Sequence, residues 1–470
     1  MPIERASRSK GSRTIAVVIF LCLLVVVAEF AQGQSTASDR HVVIISLDGF
    51  AAYLLDDPKA AIPNIRKLAH DGAVVAGGMK VSNPSVTWPN HTSLVTGVRP
   101  EKHGVLANGV FVRRGAGIPV TIDPRKDKQD LVRVPTLFDA AKAAGLTTAE
   151  INWPCTRGAK SLDDSFPDVP EAITHSTPRL RQELVRLRLL KDETDKSFSA
   201  NSVVGRDYVW TEAACHVIRE RRPNLMLLHL LNVDATHHAE GPQSPPGYTA
   251  NAYADMCVGR VLEALDAADI RHKTTVFVVA DHGFTLTPKA ICPNAILRQK
   301  GLLTAGAGGK VSYAQIHVIS EGGTGLVYCT DPGTVEADRK QFQVLFLGKE
   351  GVAAILTPEG FAEHGLPHPR EYDQAPDLIL VTEDGYGVAD SADGDSFVTS
   401  QMEGRIAIGA HGFLATLPKM NALCVISGAA IKPGVRIEKA ENIDVMPTAA
   451  RLLGLKDIRV DGRVLDEALR

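Results

Sequence analysis

The chain has 470 residues, 51 basic against 54 acidic side chains, and a formal net charge of −3. Hydrophobic residues make up 44% and charged residues 22%, an ordinary globular balance that excludes wholesale disorder. Near-neutral charge leaves no electrostatic footprint for a nucleic-acid polymer, and seven cysteines are too few for a disulfide scaffold.

The first segment reads as an address. Arg5, Arg8, Lys10 and Arg13 precede an unbroken apolar run from Ile15 to Ala28, and Ala31-Gln32-Gly33 offers small residues at a cleavage point. This pattern predicts a signal peptide over 1–33 and export to the periplasm or the exterior. An uncleaved membrane anchor is the alternative, because the run is short for a span yet close to that length. Six cysteines remain beyond it, at 155, 215, 257, 292, 329 and 424; none forms a CxxC pair, so a cysteine-rich zinc site is not expected.

Further on, apolar β-branched runs alternate with helical spacing. The patterns predict strands at His41–Leu47, Leu146–Ile151, Leu225–Leu231 and Thr275–Ala280. They predict helices at Ile62–His70, Thr136–Ala144 and Tyr253–Ala267. Fully apolar strands alternating with helices point to an α/β fold with a mostly parallel sheet covered on both faces. From Phe284 to Gly404 glycine and proline become dense, and isolated strands are expected at Ile316–Ile319, Gly325–Tyr328 and Gln343–Phe346. That stretch, 284–404, reads as an inserted smaller cap subdomain. The catalytic core is then discontinuous, 39–283 and 405–470.

Four stretches place Asp or His just after apolar strands: Asp48, then Asp234 with His238, then Asp281-His282-Gly283, then His411 after Ile406–Ile408. Singly, each is better read as a turn, cap or surface residue. Together they offer three carboxylates and three imidazoles at the edge where parallel sheets bind ligands. Mixed His and Asp without Cys suits two divalent ions, zinc foremost, with manganese or iron as alternatives. Asp281 and His282 are adjacent, so a shared ion requires an irregular turn there, which Gly283 permits.

Two further pieces stand apart. In Pro84-Ser-Val-Thr87-Trp88-Pro89-Asn90-His91, Pro89 suits a first helical turn, so Thr87 falls at a helix N-terminus. Thr87 is either an N-cap or a nucleophile awaiting activation, and on these residues alone the two readings stand level. Asn90-His91-Thr92 matches a glycosylation sequon, but a helix start is the better reading. Asn108, in His103-Gly…Asn108-Gly109, could donate its amide to a phosphoryl oxygen; without context an Asn-Gly turn is the stronger reading. No phosphate-binding loop, dinucleotide fingerprint or Gly-x-Ser-x-Gly elbow is present.

In chain order, Ser46-Leu-Asp48-Gly, Thr87-Trp-Pro-Asn-His91, His103-Gly…Asn108, Asp234…His238…Gly241-Pro242, Ala280-Asp281-His282-Gly283 and His411-Gly412 resemble the nucleotide pyrophosphatase/phosphodiesterase branch of the alkaline phosphatase superfamily. The tail around Ile443–Leu455 is similar to that superfamily's last strand and helix. The resemblance implies an alkaline-phosphatase-like fold, a three-layer, mostly parallel sheet flanked by helices. It implies two zinc ions, one held by Asp234, His238 and His411, the other by Asp48, Asp281, His282 and Thr87. It implies that Thr87 forms a phosphothreonine intermediate, that Asn108 supports a non-bridging oxygen, and that Trp88 either stacks on the substrate or packs inside. The partner so implied is a small phosphate ester, nucleotide-like esters included. His237 stands where that branch commonly has Gly, so His237 competes with His238 as a ligand. Arg157 or Lys160, in a stretch only loosely similar to the branch, keeps a phosphomonoesterase or phosphonate hydrolase open. A non-catalytic metal-dependent binder is the third reading, disfavoured by the intact Thr87.

Overall fold

The computed structural model describes Met1, residues 39–402 and residues 408–470. Apart from Met1, the expected signal segment 1–33 lies outside these residues, as do positions 406 and 407 of the strand expected before His411. Among the described residues no helix is long and apolar enough to cross a membrane.

An eight-stranded sheet organises residues 41–470. Its strands are β1 (His41–Leu47), β2 (Ala73–Val75), β3 (Thr148–Pro154), β4 (Asp164–Asp168), β5 (Leu225–Leu230), β6 (Thr274–Val279), β11 (Cys424–Gly428) and β12 (Val435–Ile437). Their order is β12-β2-β11-β6-β1-β5-β3-β4. The five strands β6, β1, β5, β3 and β4 run parallel, while β11 pairs antiparallel with both β6 and β2. Every residue of β1, β5 and β6 is buried, as expected for strands covered on both faces. The predicted strands at 41–47, 225–231 and 275–280 match observed ones within a residue.

Helices α1 (Pro63–Asp71), α4 (Val203–Arg221), α5 (Asn232–Glu240) and α6 (Pro245–Ala267) pack together and against the sheet. Helices α2 (Thr87–Thr96), α3 (Leu137–Ala143) and α8 (Val445–Leu453) form a second group. Local chemistry sets several starts: Pro stands in the first turn of α1 and α6, Ser244 caps α6 through Gly247 N, and Thr136 with Asp139 forms a capping box on α3.

Between β6 and β11 a separate antiparallel sheet is ordered β7-β8-β10-β9, with β7 (Ile316–Ser320), β8 (Thr324–Cys329), β9 (Val352–Leu356) and β10 (Leu378–Thr382). Residues between 291 and 392, Phe342 and Phe346 among them, close an apolar cluster of their own. One expectation fails here. Gln343–Phe346 is not a strand but the end of helix α7 (Val335–Phe346). Phe342 and Phe346, four apart, are buried, while Val344 between them is 84% exposed, so the burial period is helical. Glu336 and Asp338 in the first turn suit the helix dipole.

Candidate active site

The parallel strands deliver their polar ends to one edge. Asp48 leaves β1 with its N–H held by Leu230 O at 2.9 Å. Helix α5 begins directly after β5. The Asp207 carboxylate accepts from Leu231 N at 2.9 Å and Asn232 N at 3.0 Å, occupying the helix start. Asp234 and His238 therefore lie one turn apart on a helix of 9 residues. Their Oδ1 and Nε2 atoms are 3.4 Å apart, and His411 Nε2 is 3.7 Å from the same oxygen. After β6 the backbone turns irregular, and the two neighbouring side chains converge: Asp281 Oδ2 lies 3.1 Å from His282 Nε2. His282 Nε2 lies 3.3 Å from Asp48 Oδ1. The rings of His282 and His411 stack at 3.8 Å, so the Asp and His residues of both expected metal sites meet in one cluster. Gly283 serves by contact, not by φ: a Cβ there would stand 2.0 Å from Lys419 O.

The donor set fits divalent cations. His238, His282 and His411 each turn Nδ1 onto a backbone carbonyl, of Gly409 at 3.1 Å, Gly283 at 3.1 Å and Ser85 at 2.9 Å. Carbonyls only accept, so in the neutral ring Nδ1 carries the proton and Nε2 presents a lone pair. Asp48 Oδ1, Asp234 Oδ1, Asp281 Oδ2 and His282 Nε2 are buried with no hydrogen-bond partner. Buried polar atoms are rarely left unpaired, and these face one another. Two ligand groups emerge, Asp234–His238–His411 and Asp48–Asp234–His282, with Asp234 shared. Asp281 joins the second through its contact with His282 rather than as a member of the tightest set.

The electrostatics carry the same strain. Burial pushes the Asp281 carboxyl up, and the charge of Asp48 adds to it. Burial opposes ionisation of Asp48 too, yet the hydrogen bond with His229 and the nearby His282 ring hold it well below the usual carboxylate range. Burial pulls His411 well down, and the neighbouring His282 and His238 pull it further. Carboxylates that cannot all ionise, beside a His411 ring that does not readily protonate and a His282 ring whose pKa, against its burial, Asp281 and Asp48 raise to about 9, are what a divalent cation relieves.

Thr87 is the first residue of α2, and the N-cap is Val86, so Thr87 is not the cap. The Trp88 N–H donates to Asn108 Oδ1 at 2.9 Å. This holds the exposed Asn108 amide beside the helix start, with its NH₂ half left as a donor. Trp88 itself is buried in a small apolar cluster with Val105, Leu131, Val132 and Cys155. Its indole N–H donates to Asp168 Oδ2 at 3.2 Å. Of the two readings of Trp88, the packed one describes its surroundings. Asn90 is fully buried, and its amide donates to Pro84 O and Val86 O, so the sequon faces inward.

His237 does not join the cluster. It is buried beside Phe284, and burial brings its pKa down to about 4. Arg157 is engaged by Asp127 at 2.8 Å, and Lys160 is exposed. All six described cysteines are free and buried.

Several polar groups packed against the cluster escape the sequence patterns. His229 lies inside β5, where its neighbours are all apolar, and its Nε2 is 3.1 Å from Asp48 Oδ2. Burial opposes its charge, but Asp48 and Asp168 outweigh that and push its pKa up to about 9. His91 Nδ1 meets Thr87 O at 2.9 Å, and its ring lies 4.1 Å from that of His229. A single His in an otherwise apolar strand is the one signal available, since a buried imidazole needs a partner.

A family model described as type I phosphodiesterase / nucleotide pyrophosphatase matches residues 42–414. Ectonucleotide pyrophosphatase/phosphodiesterase family member 3 of Mus musculus is 25% identical over 247 residues, 52% of this chain and 25% of that protein. An uncharacterized pyrophosphatase/phosphodiesterase of Schizosaccharomyces pombe is 25% identical over 295 residues, 59% of this chain and 52% of its own length. The aligned regions thus span a quarter to about half of these curated relatives. The fold is that of murine ectonucleotide pyrophosphatase / phosphodiesterase 5, with a TM-score of 0.66 at 20% identity, covering 92% of this chain and 100% of that one. An inactive variant of the murine protein, in complex with AMP, superposes with a TM-score of 0.67 at 20% identity over the same shares of both chains. The architecture is the mostly parallel, helix-flanked α/β fold expected from the strand and helix patterns. With the family model matching most of its length, the chain belongs to the type I phosphodiesterase/nucleotide pyrophosphatase family.

Proposed function

We propose that this chain hydrolyses phosphodiester or nucleotide pyrophosphate bonds with two divalent ions, zinc foremost, through a phosphothreonine at Thr87. The observation that carries the reading is the set of buried, unpartnered oxygen and nitrogen atoms on Asp48, Asp234, Asp281 and His282. Asp234, His238 and His411 would hold one ion; Asp48, Asp281, His282 and Thr87 would hold the other. Bound there, the ions would lower the pKa of the Thr87 hydroxyl and stabilise charge on the leaving oxygen.

The chain's own residues supply position. Helix α2 presents Thr87 Oγ1 for in-line attack on phosphorus, as the bond to the first leaving oxygen breaks. Water then attacks the phosphothreonine and restores the hydroxyl. The Asn108 NH₂ donates to a non-bridging oxygen, held in place by the Trp88 N–H on its carbonyl side. The buried Trp88 serves this arrangement from within, rather than as a platform for the substrate.

A small, nucleotide-like phosphate ester is the substrate class we favour, in keeping with the AMP complex of the murine relative. The engagement of Arg157 by Asp127 weighs against a monoester reading that would use that arginine. Residues 284–404 we assign as the cap that sets specificity. Export fits the basic and apolar leader, and relatives include venom phosphodiesterases and ectoenzymes.

The test compares a bis-aryl phosphate diester with an aryl phosphate monoester, on protein of measured metal content, for wild type and Thr87→Ala. The expected outcome is diester preference, abolished by Thr87→Ala and by chelation. Monoester preference would move the protein to phosphatase chemistry, and full activity in Thr87→Ala would overturn the covalent step.

A further inference from the structure

We propose that His229 is a positioning residue that fixes which oxygen of Asp48 faces the metal centre. The inference rests on the two-metal reading above and adds a member to it. His229 is fully buried in β5, between five apolar strand neighbours. Its Nδ1 meets the Asn152 carbonyl at 2.9 Å, and its Nε2 meets Asp48 Oδ2 at 3.1 Å. Both contacts are acceptors, so the ring donates from both nitrogens. One oxygen of Asp48 is thereby occupied. The other, Oδ1, has no hydrogen-bond partner and lies 3.3 Å from His282 Nε2, toward the remaining ligands.

The far end of this relay is built with care. Asn152 adopts φ +60, a conformation uncommon for a residue other than glycine. It does so where the register of β3 against β4 breaks, between Ile151 and Pro154. The next residue is pinned, Trp153 N donating to Glu150 Oε2 at 2.9 Å. The Asn152 side chain donates in turn to His229 O at 3.2 Å, tying the two strands together at this level. The strained backbone thus aims a carbonyl at one face of an imidazole whose other face orients a proposed ligand. Partners of this kind, one bond removed from a metal, govern affinity by roughly 10–100-fold.

The test reads metal binding, not turnover. Apo wild type, His229→Leu and His229→Gln are titrated with Zn²⁺ against a chromophoric chelator, with far-UV circular dichroism and melting as folding controls. Wild type should bind two ions. His229→Leu should lose roughly 10–100-fold at one ion and little at the other. His229→Gln, whose amide still donates to Asp48, should recover part of the loss. Two wild-type affinities in His229→Leu overturn the inference and leave the two-metal reading standing. So does an equal loss at both ions, which marks a general structural role. Wild type that binds no divalent ion overturns both. If His229→Leu does not fold, His229→Gln is judged on the same criterion of unequal loss.

Discussion

Glu150 shows how costly a buried charge is when no ion relieves it. It lies fully buried in β3, accepting from Trp153 N at 2.9 Å and from the Ser165 hydroxyl. Burial pushes its pKa up from 4.5 to about 7, and the hydrogen bonds offset only part of that. The unfolded chain loses this proton near 4.5, while the native state keeps it to about 7. The native state binds more protons in that window, so stability falls as pH rises through it. A shift of that size is worth on the order of 3 kcal/mol when fully developed. Glu150→Gln should therefore gain stability over wild type as pH rises from 5 to 8, measured by urea unfolding. A difference that does not vary with pH would contradict the assignment. Asp281 shows the same physics inside the candidate metal cluster, with Asp48 adding to the burial.

At the scale of elements, the site depends on where short connections end. Helix α5 is anchored at its first residues by Asp207 and carries Asp234 and His238 on one face. His411 has no helix to hold it; it is placed by close backbone contact. Gly412 has φ +76, and a Cβ there would stand 1.4 Å from the Glu321 carbonyl oxygen. No rearrangement of a flexible side chain relieves a clash with backbone. Gly412→Ala should separate the 320–323 turn from His411 and weaken binding of the ion proposed at His411, Asp234 and His238. Metal titration should show that loss, at least about tenfold, while circular dichroism stays native. Unchanged affinity would show that the backbone yields without moving His411.

For the molecule as a whole, the proposed metal centre would also be a stability device. Asp48, Asp281 and His282 are fully or nearly fully buried, and each comes from a connection following a core strand. Drawing carboxylates together in the absence of cations opposes folding; filling the centre removes that opposition. A ligand present at 1,000 times its Kd adds about 4 kcal/mol per site. Zinc should raise the melting temperature of the apo protein by several degrees, and a chelator should reverse the rise. An unchanged midpoint at saturating zinc would count against buried metal ligation.

Much of this was legible in the chain itself. Mostly apolar strands alternating with helices announce a parallel sheet, because burial on two faces leaves few polar positions in the strand. Asp48, Asp234, His238, Asp281, His282 and His411 were legible because strand ends at a sheet's edge are where polar groups become affordable. Gln343–Phe346 misled because three apolar residues in a row suit either period, and only burial shows that Phe342 and Phe346 share a face. Tertiary structure alone decided what lies between distant segments. His238 faces Asp234 and His237 does not, since helix α5 turns neighbours by about 100°. Trp88 is packed and bonded to Asp168, a partner 80 residues away. His229 meets Asp48 across 181 residues of chain. Periodicity reports which side of an element is buried; it carries no information on which buried polar atom on another element completes the pair.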